Sequence, residues 1–302
     1  MTKLQRNLLI GLMPIFIIPA IACSQDTLVP DHGSVLAANQ IAEFPALAGV
    51  SGKTRIYSQG GFGATFQSAS NISMVDLCLD YPATSRIGVG IEMGARRGLG
   101  YTNSLRTGAV FSYGIPFGKS PVVFRIGGGL GYWSRASEDL MFGHNRPDAE
   151  LGVAGIGRKW IASLSALHLN GGWVESFPYY FTQPVEFRCL AGLLVAENRS
   201  VKIRLIGDAM LAGKSTKASI ALAGNIAANW LAELNIAYMS YDIFGTFATA
   251  NILDPQNGYS GGIRAGFFAG PDIGFIGTFS GNYSLTDDYL YFIAGMIFIA
   301  KL

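Results

Sequence analysis

From about residue 52 onward, apolar residues alternate with polar or small residues in segments of about ten. The segment "SVKIRLIGDAML" (200–211) is the clearest case, with Val201 and Leu205 on one face and Lys202 and Arg204 on the other. Successive side chains of a β-strand point to opposite sides, so this period of two predicts a strand with one apolar and one largely polar face. A chain made almost entirely of such segments is restricted to an all-β fold.

The same pattern recurs in fifteen segments along the chain. Outer-membrane barrels favour even numbers of strands, so about fourteen strands are predicted. The segments lie at 53–66, 70–81, 84–94, 104–114, 121–133, 149–157, 159–169, 185–195, 201–211, 216–223, 229–240, 242–251, 261–269, 272–283 and 288–301. The glycine-containing connection 212–215 predicts an antiparallel hairpin between two of them. Short connections are expected to face the periplasm and long ones the exterior. The long connections are predicted at 134–148, 170–184 and 252–260.

The length and composition of these segments distinguish a membrane barrel from a soluble β-sandwich. Soluble strands average roughly 5–6 residues and carry many Lys and Glu outside, whereas strands that cross a bilayer need ~9–11 residues. Only 14% of the residues are charged and 50% are hydrophobic, yet no apolar run beyond the N-terminus approaches the ~18 residues of a membrane helix. Aromatic residues cluster towards segment ends, as in interfacial girdles. We therefore predict a transmembrane antiparallel β-barrel.

The first residues predict export from the cytoplasm. Lys3 and Arg6 precede an apolar stretch, 8–18, and the small residues that follow end at Ala22. This order is typical of a secretory signal peptide, here 1–22, and the apolar stretch is too short to span a membrane. The mature protein is therefore expected in the outer membrane.

Two cleavage modes fit the end of the signal peptide. Ordinary signal peptidase would cut after Ala22, and lipoprotein processing would leave Cys23 as an acylated first residue. The stretch 23–52 is polar at first and lacks the period of two, so we expect a periplasmic lead-in or plug there. The barrel itself is expected to cover 53–302, which no internal repeat or linker divides.

Charged residues on the polar faces of the predicted strands are expected to face the lumen. Both signs are present, so two interpretations stay open: a conducting pore, or a satisfied ionic network that fills the lumen. The residues are Arg86, Glu92, Arg106, Arg125, Glu186, Arg188, Lys202, Arg204, Asp208, Glu233 and Arg264.

The sequence shows no pattern typical of a cofactor, metal or nucleic-acid site. The triplet 213–215 (Gly-Lys-Ser) resembles the end of a phosphate-binding loop, but Asp208 stands where that loop needs a glycine. The glycines of 125–133 lack the strand–turn–helix context of a dinucleotide site and are expected to make room in the lumen. The histidines are scattered and no paired-cysteine spacing occurs. A net charge of +2 gives no reason to expect nucleic acid.

One enzymatic alternative is a barrel hydrolase that uses a Ser/His pair near the membrane surface. His144, in a predicted loop, and His168, near a predicted strand end, are the candidates. A polar loop residue and an interfacial strand-end residue account for the same positions, and we favour that interpretation. Cys78 and Cys189 fall in predicted strands far apart in sequence, so no disulfide framework is indicated.

Four stretches, taken in order, carry a family resemblance. In "NQIAEFPALAGVSGKTRIY" (39–57), the run Pro-Ala-Leu-Ala-Gly resembles a characteristic Asn-Pro-Ala-x-Ala-Gly start, with Pro45, Ala46, Ala48 and Gly49 matching and Phe44 in place of the asparagine. The other stretches are "RIGVGIEMGARRGLGYTNSLRTGAVFSYGIPFGK" (86–119), "EDLMFGHNRPDAELGVAGIG" (138–157) and "LSALHLNGGWVESF" (164–177). Together they resemble the PorP/SprF family, outer-membrane proteins of the Bacteroidota type IX secretion system.

The resemblance implies a non-enzymatic protein that assists export or surface retention of cargo, such as the adhesins of gliding motility. Its implied partners are outer-membrane lipids, secreted cargo proteins and the periplasmic type IX secretion machinery. The alternative is an outer-membrane channel for small or hydrophobic solutes, porin-like or similar to the fatty-acid transport barrels. Single-channel conductance distinguishes the two, because a steady open pore favours transport.

Overall fold

The computed structural model describes residues 41, 43–65, 71–97, 102–117, 120–137, 143–170, 173–176, 179–182, 185–198, 200–212, 215–226, 229–240, 257–269, 273–284 and 289–301. The predicted signal peptide, Cys23 and the strand predicted at 242–251 lie outside these residues. Among the residues described, no helix has the length and apolar character needed to cross a membrane.

β-Strands account for most of the described chain. They are β1 (Arg55–Thr65), β2 (Asn71–Pro82), β3 (Ile87–Arg97), β4 (Thr102–Pro116), β5 (Val123–Ser137), β6 (Gly143–Ile156), β7 (Trp160–Leu167), β8 (Trp173–Ser176), β9 (Tyr179–Thr182), β10 (Glu186–Glu197), β11 (Val201–Ala212), β12 (Ser215–Ile226), β13 (Trp230–Ser240), β14 (Asn257–Ala269), β15 (Ile273–Ser284) and β16 (Tyr289–Lys301). Within the described ranges, fourteen of these close into an antiparallel barrel, and β8 and β9 form a separate hairpin. β7 pairs with β10 across that hairpin, and β1 pairs with β16 to close the ring.

The predicted transmembrane antiparallel β-barrel of about fourteen strands is confirmed, although some predicted loops are strand. The ladder between β5 and β6 runs from Val123–Ile156 to Ala136–Gly143, so it takes up most of the predicted loop 134–148. The backbone of His144 therefore belongs to β6. The predicted hairpin is present, because β11 ends at Ala212, β12 begins at Ser215 and these two residues are paired.

Side chains on the barrel strands alternate between the outside and the lumen. On β3, Ile91 is 54% exposed, whereas the next residue, Glu92, is 5% exposed. The large exposed side chains of the other strands are likewise apolar or aromatic, as with Leu130 on β5 and Ile263 on β14. A continuous apolar outer surface of this extent is stable only against lipid.

The two ends of the barrel differ in the length of their connections. At the end where Arg55 begins β1 and Lys301 ends β16, the connections are short: 83–86, 117–122, 157–159, 198–200, 227–229 and 270–272. The opposite end carries the long connections 168–185, which contains β8 and β9, and 241–256. Short turns are typical of the periplasmic side of such barrels, so the end at which β1 begins and β16 ends faces the periplasm.

A charge placed midway along the lipid-facing surface is expected to cost more stability than one at its edge. Ile236, midway along β13, and Ile273, the first residue of β15, both face outward. Arginine costs about 2–4 kcal/mol at the bilayer midplane and about 0–1 kcal/mol near the interface. We expect Ile236→Arg to lower the free energy of unfolding by about 3 kcal/mol, and Ile273→Arg to have little effect, in guanidinium titrations in lipid vesicles. Equal losses at both positions would contradict this orientation of the outer surface.

Candidate functional site

The described part of 41–52, expected to be a lead-in or plug, is buried inside the barrel and is termed the plug here. It contains a 3₁₀ turn, Pro45–Leu47, followed by a tight turn at 48–50. Gly49 has a φ of +71°, in the left-handed region that favours glycine. The buried apolar side chains of the plug are those of Ile41, Phe44, Pro45, Ala46, Leu47 and Ala48.

The plug approaches the wall most closely where the wall carries glycine. A Cβ on Gly127 would lie 2.4 Å from the backbone nitrogen of Ala46, and one on Gly88 would lie 2.0 Å from the carbonyl oxygen of Ala48. Such distances are far below van der Waals contact, so only glycine fits at either position. Gly127 is one of the glycines in 125–133 that were predicted to make room in the lumen, and the plug fills that room.

Arg125 holds the turn of the plug by hydrogen bonds. Its Nε donates to the carbonyl oxygen of Ala46 at 3.1 Å, and its Nη2 donates to that of Ala48 at 2.8 Å. The hydroxyl of Ser112 also donates to the Ala48 carbonyl, at 2.7 Å. These carbonyls have no strand partner, and a buried guanidinium is a strong donor for them. Arg125 therefore supplies hydrogen-bond donors to the carbonyl oxygens of a turn that does not pair with the barrel strands.

Two carboxylates attach the plug on either side of that turn. The carboxylate of Asp80 on β2 accepts a hydrogen bond from the backbone N–H of Gly49 at 2.5 Å. Asp80 is also ion-paired with Arg55, which begins β1, at 2.6 Å. Further into the lumen, the plug residue Glu43 is ion-paired with Arg188 on β10 at 2.5 Å. The plug is thus bonded to strands on several sides of the barrel.

Apolar side chains of the inner wall pack against the plug, which explains why they interrupt a polar face. Ile206 lies on the same face of β11 as Arg204, yet it is buried in a cluster with Phe44 and Leu47. A second cluster joins the plug to the opposite part of the wall, and its members include Ile41, Ala48, Tyr57, Leu231, Phe268, Ile276 and Ile297. This part of the lumen is therefore a packed core.

A group of charged residues occupies the lumen beside the plug. Arg106 Nη2 lies 2.7 Å from Glu150 Oε2 and 3.0 Å from Glu92 Oε1, and Arg106 Nε lies 3.8 Å from Asp148 Oδ2. His168 Nδ1 lies 3.0 Å from both carboxylate oxygens of Asp148. These five residues form the Arg106 cluster, in which one guanidinium faces three buried carboxylates.

Four lumen carboxylates lie opposite glycines of the adjacent strands. The pairs in the strand register are Asp76 with Gly94, Glu92 with Gly108, Asp148 with Gly131, and Glu150 with Gly129. A Cβ on Gly129 would lie 2.4 Å from Glu150 Oε1, and one on Gly108 would lie 3.0 Å from Glu92 Oε1. These two glycines therefore leave the space that the neighbouring carboxylates occupy.

A cavity of about 190 Å³ lies between the plug and the Arg106 cluster. Four carboxylates and two guanidinium groups line it: Glu43, Asp76, Glu92, Glu186, Arg106 and Arg188. Trp133 and Leu167 also line the cavity and give it apolar surface. The cavity is therefore amphipathic.

Most of the predicted lumen-facing charged residues have partners within the barrel. The pairs not yet described are Glu186 with Arg188, Lys202 with Glu197, Arg204 with Asn225, Asp208 with Ser219 and Lys217, and Glu233 with Arg264. Of the two interpretations left open by the sequence, a network that fills the lumen describes these residues better than an open pore.

The prediction that Arg86 faces the lumen is wrong. The sequence predicts it on the lumen face of a strand at 84–94, but β3 begins only at Ile87 and Arg86 is exposed in the turn before it. The hydroxyl of Thr84 accepts hydrogen bonds from the backbone N–H groups of Arg86 and Ile87, at 3.1 and 2.9 Å. This local turn takes the N–H of Arg86 out of the ladder.

Several residues that hold the plug or the Arg106 cluster are not among those predicted from the sequence. Asp80 shares a strand face with Cys78 in a correctly predicted strand, so the period of two was enough to place it in the lumen. The alternation along its predicted strand was likewise enough to place Glu150 in the lumen. Asp148 was assigned to a loop, and Glu43 lies outside any strand, so no periodicity identifies either.

His168 forms a buried pair with Asp148, which bears on the hydrolase alternative. Among the hydrogen bonds of the described residues, none joins a serine hydroxyl to His168. Ser165, on the β7 strand that His168 directly follows, donates instead to the carbonyl oxygen of Glu43 at 2.5 Å. The side chain of His144 lies outside the described part of the structure. A nucleophile in position for His168 is thus not among these contacts.

No protein-family profile and no curated protein sequence matches this chain. Among solved structures, CymD, a monoaromatic hydrocarbon channel, superposes with a TM-score of 0.59 at 7% identity, over 92% of this chain and 99% of that one. The toluene transporter TbuX of Ralstonia pickettii superposes with a TM-score of 0.55 at 11% identity, over 91% of this chain and 99% of that one. At such identities the similarity is one of fold.

The closed ring of strands, the apolar outer surface and this shared fold agree on the location of the protein. A closed barrel satisfies every backbone hydrogen bond within the bilayer, which an open sheet cannot do. The protein is an outer-membrane β-barrel.

Proposed function

We propose that this protein passes small solutes across the outer membrane through a lumen that its own N-terminal plug closes at rest. The observation that carries the proposal is the bounded cavity beside the plug, inside a membrane-spanning barrel. The fold shared with a monoaromatic hydrocarbon channel and a toluene transporter supports the same class of function. The protein acts in this proposal without chemistry on the solute, and the His168–Asp148 pair is structural.

The size of the cavity indicates the size of the solute. A cavity of roughly 150 Å³ in a protein core holds one benzene molecule, so the cavity of about 190 Å³ suits a molecule with a single ring. Its lining combines charged groups with Trp133 and Leu167. An amphipathic solute fits this lining better than a hydrocarbon without polar groups.

The plug must shift, or be bypassed, for a solute to cross. It is packed in two apolar clusters and bonded by Arg125, Asp80 and Arg188. An ungated porin has a water-filled lumen, and this barrel has a packed one. We therefore expect slow, size-limited passage in the resting protein and faster passage when the attachment of the plug is weakened.

Arg125→Ala tests this expectation because it removes the donors to Ala46 and Ala48. Hydrogen bonds from charged groups contribute about 1.5–3 kcal/mol, and about 1.4 kcal/mol corresponds to tenfold in an equilibrium. The displaced plug should therefore become about tenfold more populated or more. In swelling assays on proteoliposomes, we expect Arg125→Ala to admit the one-ring sugar arabinose faster than the wild type, and both proteins to exclude the three-ring sugar raffinose.

Arg204→Ala is the matched control, since its guanidinium bonds Asn225 on the neighbouring wall strand, at 2.9 Å, away from the plug contacts described above. It should leave arabinose entry at the wild-type rate. Failure of both wild type and Arg125→Ala to admit arabinose would contradict the transport proposal. Rapid entry of raffinose into wild-type vesicles would contradict the closed lumen.

A second candidate function is the secretion role that the PorP/SprF resemblance implies. The observation that favours it is that the matching residues, Pro45, Ala46, Ala48 and Gly49, form the turn of the plug, to which Arg125 and Asp80 are bonded. In this role a closed barrel presents its loops to cargo and its periplasmic face to the type IX machinery. Co-purification of a type IX cargo protein with a barrel that admits no arabinose would favour secretion over transport.

A further inference from the structure

The cavity lining carries more negative than positive groups, and its positive groups are already engaged. Arg188 is ion-paired with Glu43 and hydrogen-bonded to Glu186, while Arg106 faces Glu92 and Glu150. Asp76 adds a further carboxylate to the lining. A solute entering the cavity therefore meets a surplus of hydrogen-bond acceptors.

Glu92 supplies a specific acceptor within this lining. Its Oε1 faces Arg106, but its Oε2 is buried and has no hydrogen-bond partner among the described residues. Glu92 as a whole is 5% exposed, and it is one of the residues that line the cavity. Buried carboxylate oxygens are normally paired, because burial without a partner is costly. Because Glu92 lines the cavity, a small rotation of its carboxylate brings the unpaired oxygen within reach of a donor from a solute.

The wall holds this carboxylate in a defined position. Glu92 lies in the middle of β3, opposite Gly108 on β4, and the missing side chain of Gly108 leaves space for the carboxylate. Arg106, from the same neighbouring strand, anchors the other oxygen at 3.0 Å. The carboxylate is thus held on a rigid sheet, which favours selective binding.

The kind of donor follows from the surroundings. A positively charged nitrogen satisfies the unpaired oxygen and offsets the surplus of carboxylates. Within the described residues, no group of three His, Cys, Asp or Glu side chains is placed to hold a metal ion. The apolar contribution of Trp133 and Leu167 suits a carbon skeleton attached to the nitrogen, and Trp133 can also contact a cation through its ring.

We propose that the cavity binds a small amphipathic solute through a protonated amine, which donates a hydrogen bond to Glu92 Oε2. This inference rests on the proposed transport function and names its class of solute. The ring or chain of the solute lies against Trp133 and Leu167, and its ammonium group lies against Glu92. Neutral and anionic solutes of the same size lack the matching charge and bind more weakly.

The test compares benzylamine with benzyl alcohol, which has nearly the same shape without the charge. Isothermal titration calorimetry on the detergent-solubilised full chain at neutral pH should give benzylamine about tenfold tighter binding or more. Equal affinities in the wild type would overturn the proposal without recourse to any variant.

Glu92→Gln removes the charge and keeps the shape of the side chain. It should abolish the preference for benzylamine over benzyl alcohol. Glu197→Gln is the matched control, because Glu197 lies at the end of β10, outside the cavity lining, paired with Lys202 at 3.1 Å. It should retain the wild-type preference for benzylamine. A heat-dependent shift in electrophoretic mobility would check that both variants are folded.

Two further outcomes would overturn the proposal: full benzylamine binding in Glu92→Gln, or displacement of benzylamine by calcium, which would make the site one for a metal ion. The arabinose assay keeps the proposed function separate. Passage of arabinose without a preference for benzylamine overturns only this inference. Binding of benzylamine at Glu92 without any solute passage overturns the transport function and leaves the amine site standing.

Discussion

Replacing Gly88 by alanine is expected to displace the plug from its seat. The new Cβ would lie 2.0 Å from the carbonyl oxygen of Ala48 and 2.3 Å from its carbonyl carbon, both of them backbone atoms that cannot rotate away. Overpacking of a rigid contact costs about 3 kcal/mol. We expect a loss of this order in the free energy of unfolding, and cleavage by chymotrypsin after Leu47, which is only 2% exposed in the native protein.

Gly207→Ala is the control for this experiment. Gly207 also lies on a barrel strand, but a Cβ there would meet only the carbonyl oxygen of Ser219, at 3.7 Å, an ordinary contact. Its stability and its resistance to chymotrypsin should match those of the wild type. Resistance at Leu47 in Gly88→Ala would show that the plug does not depend on this contact.

Replacing Arg106 by glutamine is expected to produce a second large loss of stability. Glu92, Asp148 and Glu150 would lose the cation that they share, and they remain buried in the lumen. Removing one partner of a buried ionic group costs about 3 kcal/mol. Guanidinium titration in lipid vesicles should show this decrease relative to the wild type.

A second change in the same cluster should restore part of the loss. Glu150→Gln removes the carboxylate that lies 2.7 Å from Arg106, so the double variant Arg106→Gln/Glu150→Gln carries less uncompensated charge. We expect it to be more stable than Arg106→Gln alone by about 1 kcal/mol. Arg204→Gln, on β11, should cost less than about 1 kcal/mol. Equal losses for Arg106→Gln and Arg204→Gln would contradict the central role of Arg106.

The sequence predicts the barrel well because the alternation of lipid-facing and lumen-facing residues is present within each strand. A residue such as Ile91 must be apolar because lipid surrounds it, and its neighbour Glu92 is free to be charged because it faces inward. This requirement is local and repeats every two residues. It therefore places most strands correctly without any knowledge of which strands are neighbours.

The plug and its contacts could not be predicted in the same way. The approach of Gly88 to Ala48 joins parts of the chain that have no common period, and Arg125 bonds a segment far from it in sequence. The buried Ile206 interrupts a polar face only because Phe44 packs against it. Such contacts follow from the folded lumen as a whole, and the pattern within a single strand does not identify the partner of each residue.

The pairing of β1 with β16 has a consequence for the order of assembly. That seam joins β1 to β16, so it can form only after all the barrel strands between them have been made. It is the least local pairing among the described strands of the wall. The plug directly precedes β1 and is therefore available while the cylinder is still open. The cylinder can close around its own contents, and nothing has to be threaded through a finished rim.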